Sequence, residues 1–149
     1  MPHLLLALVA GAVSGAALLL LSHLAPRFGA GRFFKDIDKP VLLGRSVTRG
    51  ESHAVGIAVH LALSAAFGAG FAVLVDQGIF SGYVAVPIFI WGAAFALVNG
   101  LVVLPLEGHG LFGAKEDVWF PIDLVVTSLL WAVLFWWIVR LWSAFVIFS

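Results

Sequence analysis

The sequence predicts an all-α integral membrane protein: a single-domain four-helix bundle with short antiparallel connections and one interfacial amphipathic helix. Three observations carry this. Four apolar runs, at residues 4–24, 54–75, 83–104 and 122–145, are each long enough to cross a hydrocarbon core of about 30 Å, which takes roughly 20 helical residues. Charged residues make up only 11% of the 149-residue chain, against about 25% in a soluble domain. None of the runs shows the strict alternation over about ten residues that a transmembrane strand needs.

Composition also narrows the function classes. The formal net charge is zero, which argues against binding nucleic acid through a basic surface. Cysteine is absent, which excludes disulfides, thiolate metal sites, iron–sulfur clusters and cysteine nucleophiles.

The first run resembles a secretory signal in position only. No Lys or Arg precedes it, and about 20 apolar residues exceed the 7–15 of a signal core, so it is expected to be a retained span. It carries Ala7, Gly11 and Gly15 at four-residue spacing, a ridge of small side chains that lets helix backbones approach closely. Ser14 shares that face. In the link that follows, residues 31–39 place Phe33, Phe34 and Ile37 on one helical face, with Arg32, Lys35 and Asp36 elsewhere. A short helix on the membrane surface is expected there, its basic residues against anionic headgroups and its end at Pro40.

The second run organises the rest. Every fourth residue from Ala54 is small (Ala54, Ala58, Ala62, Ala66, Gly70), which predicts a packing ridge. At about 100° per residue, His53, His60 and Ser64 fall within roughly 40° of one another on the opposite side. The third run has its own ridge, Gly92, Ala96 and Gly100, with Asn99 beside it, and Pro105 is expected to end that helix. Residues 14–26 and 91–105 share a Gly-Ala-Ala start, a Leu-rich middle and a terminal proline, with gaps that differ by two residues, a pattern that suggests a duplicated hairpin. The fourth run places Asp123 and Thr127 on one face of its first two turns, and a carboxylate there suits the helix N-terminus.

Topology follows from charge. The links 25–52 and 105–121 hold Arg27, Arg32, Lys35, Lys39, Arg45, Arg49 and Lys115, seven of the eight basic residues. The positive-inside rule therefore predicts both links cytoplasmic and both termini on the opposite side of the plasma membrane. Arg140 is left near the outer boundary, where its stem can snorkel. Trp119 and Phe120 at one end, and Trp136, Trp137 and Trp142 toward the other, read as interfacial belts.

Ionisable groups inside a membrane usually face the bundle and often mark function. The candidate polar cluster is His60, Asn99, Asp123, Thr127, Glu107 and His109, all in the half nearest the basic links. Three chemical readings stay open. Imidazole and carboxylate suit a divalent metal such as zinc at His53, His60, His109 and Glu107. Two histidines on different helices, for instance His23 and His60, suit a b-type haem. A proton or solute path would start at the rim and reach His60 and Asn99. Against each stands a packing role, with His60 hydrogen-bonded to Asn99 or Ser64. Ser14 with His60 is a poor hydrolase pair because Ser14 lies in a packing motif. Gly108, Gly110 and Gly113 give residues 105–113 (PLEGHGLFG) unusual backbone freedom, which suits either a compact connector at the interface or a loop that folds back under the bundle and aims Glu107 and His109 at His60.

The small-residue first span, the histidine-bearing second span, and a third span running into Pro105, Leu106, Gly108, Gly110, Phe112 and Gly113 resemble small four-helix prokaryotic membrane proteins of unknown function. The resemblance implies a four-helix membrane fold and no particular activity. The functional expectation is a non-catalytic accessory or assembly component, not an enzyme, in the lipid bilayer. Its small-residue ridges (Gly11 and Gly15; Ala58, Ala62, Ala66 and Gly70; Gly92, Ala96 and Gly100) would meet other membrane helices, in a homo-oligomer or larger complex. The alternatives are a small oligomeric transporter or ion- or proton-handling protein, and a haem- or metal-binding redox subunit.

Overall fold

The computed structural model describes residues 2–24, 41–42, 45–46, 48–115 and 118–147. Among the described residues, four helices long and apolar enough to span a membrane run over His3–Ser22, Ala54–Asp76, Ala85–Leu106 and Phe120–Trp142. The elements are α1 (Pro2–Leu24), a minimal antiparallel strand pair β1 (Val41–Leu42) and β2 (Arg45–Ser46), and α2 (Arg49–Asp76). Then come α3 (Ala85–Val98), a π-helical turn at Asn99–Val103, α4 (Leu104–Leu106), a 3₁₀ turn at Leu111–Gly113, and α5 (Phe120–Ile147). The strand pair is two residues on each side, in the register Val41↔Ser46 and Leu42↔Arg45, and the fold is otherwise helical as expected. The surface helix expected at 31–39 lies outside the described residues.

Local chemistry explains where the helices begin and end. α2 starts before its apolar run because Thr48 and Glu51 form a capping box, each side chain serving the other's backbone N–H. Its far end closes on Gly78 at φ 73°, where Gly78 N–H donates to Val75 O and Ile79 N–H to Leu74 O. The same closure recurs at Gly108, φ 87°, with N–H donors from Gly108 to Pro105 O and from His109 to Leu104 O.

Pro105 does not end the third helix, as its residue type led us to expect. Proline has no N–H, and its ring crowds the carbonyl four residues back. The helix widens ahead of it: Leu104 N–H donates five residues back to Asn99 O. A last turn then carries the chain to Leu106.

The helices form a ring in which α1 packs along α2 and α5, and α5 packs along α3. α2 and α3 are held together by rings more than by backbone proximity. Phe67 lies 5.0 Å from Trp91 and 4.4 Å from Phe95, and Trp91 Nε1 donates to Phe67 O at 2.8 Å. At the centre Trp131 is fully buried; it stacks on Phe135 at 5.0 Å and 6°, leans on Phe95 at 4.9 Å, and points Nε1 at Gly11 O, 3.3 Å away. Phe71 closes the far half against Phe80, Tyr83 and Phe135.

Two glycine contacts set the helix spacing. Gly11 and Gly68 meet face to face: a Cβ on Gly11 would strike Ser64 O, and one on Gly68 would strike Ala7 O. Across the bundle, Gly92 of α3 lies against α5, where an added Cβ would sit 2.7 Å from Ala132 Cβ and 3.3 Å from Ser128 O. Ala96 is buried beside it.

The ridge on α2 is not used within the bundle. Ala54, Ala58, Ala62 and Ala66 are exposed, and only Gly70, at the edge of the stripe, meets a neighbour, the Trp91 indole. α2 turns its other face inward, the one with His60, Ser64, Gly68 and Phe71. The physical reason is the fit of shapes. That face offers both the Ser64–Gly68 notch that matches Gly11 and the aromatic rings that fill the centre, whereas the alanine stripe meets no complementary surface among the described residues.

Candidate functional site

The inward face of α2 carries the residues of interest. Ser64 is fully buried and His60 half-buried, one helical turn apart. Both border Gly15 of α1. A Cβ placed there would lie 2.5 Å from Ser64 Oγ and 3.6 Å from His60 Cδ2. The imidazole is also turned toward the Gly15 carbonyl. Yet His60 Nε2 and Ser64 Oγ are sealed from solvent and have no hydrogen-bond partner among the described residues.

Neighbouring polar side chains differ in this respect. Ser14 donates to Ala10 O at 2.7 Å and Ser22 to Leu19 O at 2.7 Å. Asn99 Nδ2 donates to Phe95 O at 2.9 Å, and Thr127 Oγ1 to Asp123 O at 2.8 Å. Each returns its donor to its own helix, the usual way a short polar side chain is satisfied where water is scarce. The expected hydrogen bond from His60 to Asn99 or Ser64 is not formed.

The connector after α4 forms a second, separate cluster. His109 is 3% exposed, and its carbonyl accepts from Lys115 N–H at 3.1 Å. Phe112 takes a left-handed conformation, φ 51° and ψ 25°, and its ring covers Gly100 in the π-turn. Phe120 in turn covers Gly113. Such a backbone at a bulky residue is strained, and it is held by the rings around it. The connector thus packs on the π-turn, α4 and α5. His60 faces α1, so the structure does not converge Glu107 and His109 on it.

Burial pushes the Glu107 carboxyl above the usual carboxylate range, with the nearby His109 imidazole pulling the other way. A raised value means the folded chain holds this proton more tightly than the unfolded chain. Its contribution to stability is therefore full below the ordinary carboxylate range and declines as pH rises through the raised value. Glu107→Gln is expected to flatten that decline. Thermal unfolding in detergent from about pH 4 to about pH 8 checks it; an unchanged profile would assign the pH dependence elsewhere.

No group of three or more His, Asp or Glu side chains that could hold a metal ion occurs among the described residues. The side chains of His23 and His53 lie outside them. Where His60 can be judged, the fit to haem is poor: the closed contact with Gly15 leaves no slot for a macrocycle. No protein-family model, curated protein or solved structure matches the chain.

Sequence reasoning missed the Gly68 contact, the Trp131 indole on Gly11 O, and the left-handed Phe112. The first had a visible signal, Ser64-x-x-x-Gly68 on the histidine face, masked by the longer alanine stripe opposite. The other two depend on contacts between distant segments and leave no local trace.

Proposed function

We propose that this protein works as a non-catalytic membrane helix bundle that packs against other membrane helices as an accessory or assembly component, in a homo-oligomer or a larger complex. One observation carries the reading: the alanine stripe of α2 faces outward, unused by the bundle, on the helix with the least of its span buried. Helices associate in lipid through close backbone approach at small residues. Three turns of exposed alanine, flanked by nothing larger on that line, form a flat track for another helix. The satisfaction of Ser14, Asn99 and Thr127 within their own helices supports a packing role over a polar path through the centre. In the plasma membrane, the positive-inside rule would place the links at 25–52 and 105–121 in the cytoplasm.

Because the chain has no cysteine, one introduced thiol is unique. Ala62→Cys is expected to cross-link in native membranes to a species whose mass identifies either a second copy or another chain. Val86→Cys, on an exposed position of α3, serves as the control and should stay monomeric. Equal behaviour of the two thiols would remove the stripe as a docking surface.

A further inference from the structure

We propose that the seam between α1 and α2 holds one water molecule between His60 Nε2 and Ser64 Oγ, with the Gly15 carbonyl as its third partner. The argument begins from the two orphaned atoms. Both are sealed inside a span, where bulk water cannot satisfy them, and both belong to one face of one helix. Ser64 had a simpler solution available. Ser14 and Thr127 bond the carbonyl of their own helix four residues back, whereas the Ser64 hydroxyl is turned across the seam toward Gly15.

The partner set suits water in number and kind. A buried water typically makes about three hydrogen bonds to groups otherwise unsatisfied. Here it would donate to the imidazole nitrogen and to the Gly15 carbonyl while accepting from the serine hydroxyl. Gly15 is the residue that lets both groups face the seam. A Cβ there would stand 2.5 Å from Ser64 Oγ and 3.6 Å from His60 Cδ2, so a side chain would push them away. The contact is close, and the seam must open around Gly15 to seat the water.

Exchange with bulk is one-ended. His60 stands about 10 Å along the span from Ala54, near the rim where the basic links emerge. Beyond it the bundle is closed by Phe71, Phe135 and Trp131, all fully buried. The water is therefore enclosed, reached from one end only when the seam opens, and the site is not a pore. This stands independently of the alanine stripe.

Two measurements test the proposal. In wild-type protein in lipid nanodiscs, water-edited nitrogen-15 solid-state NMR should show transfer from water protons to the His60 imidazole. Its build-up should be comparable to that at the rim amide of Gly50 and faster than at the lipid-facing amide of Ala62; a His60→Gln variant assigns the signal. Build-up at His60 no faster than at Ala62 would overturn the proposal. In parallel, Ser64→Cys treated with a small charged methanethiosulfonate should react at least about tenfold faster than Ala62→Cys, since a thiol ionises only where water reaches it. Gly50→Cys is the fully reactive reference. Equal inertness of the Ser64 and Ala62 thiols counts against the site. If the Ser64 variant does not fold, or the two measurements disagree, the wild-type spectrum decides.

Discussion

Gly68→Ala is expected to destabilise the bundle by about 3 kcal/mol, at the upper end of the range for overpacking a tight interior. The added methyl would meet the Ala7 carbonyl and the Gly11 backbone, which have no rotamer to give. Relief requires α1 to move away from α2. That movement also pulls Gly11 O off the Trp131 indole and loosens the contact between α1 and α5. Gly56 is the control on the same helix. Nothing lies within 4 Å of a Cβ placed there, so Gly56→Ala should be neutral or more stable by about 0.5–1 kcal/mol through reduced backbone entropy. Reversible unfolding in mixed micelles distinguishes the two. Similar effects of both substitutions would mean that the Gly11–Gly68 contact does not hold the helices together.

Trp131→Ala is expected to cost about 3 kcal/mol, the low end of the range for removing a buried aromatic. The low end is chosen because lipid is as apolar as the core, so transfer from water contributes little once the helices are inserted. What remains is dispersion and ring packing: Trp131 touches Phe95 and Phe135 and is completely enclosed. Trp131→Phe keeps part of the stack and loses the N–H, so it should fall between wild type and alanine. The same unfolding assay, read by circular dichroism so as not to depend on tryptophan fluorescence, gives the order. Alanine and phenylalanine variants of equal stability would show that the stack with Phe135 adds nothing.

How much of this was legible in advance differs by element. Four helices of spanning length could be read because length and hydropathy are properties of a continuous segment. The separation of α2 into an alanine side and a histidine side was also legible, since it needs only the angle per residue. The choice between those sides was not. Ser64 and Gly68 matter because Gly11 and Gly15 stand opposite them, and that pairing joins residues about fifty positions apart. Pro105 misled for a related reason. Its missing donor was foreseeable, but the π-turn that absorbs it is held partly by Phe112 over Gly100, a contact made by the returning connector. The polar cluster fared similarly: depth along each helix was readable, while the direction each side chain takes was not.

By itself, then, the sequence determined that this chain carries four helices long and apolar enough to span a membrane, and that His60 lies within the second of them on the face opposite the alanine stripe. Only the tertiary structure decided which face of α2 is inside, that His60 and Ser64 meet Gly15, and that Glu107 and His109 belong to a different cluster. The reason is the solvent. In water, an apolar stripe marks the buried face because the alternative is exposure to water. In a bilayer both sides of the helix are apolar surroundings, so hydrophobicity does not choose between them, and the choice falls to shape complementarity between helices.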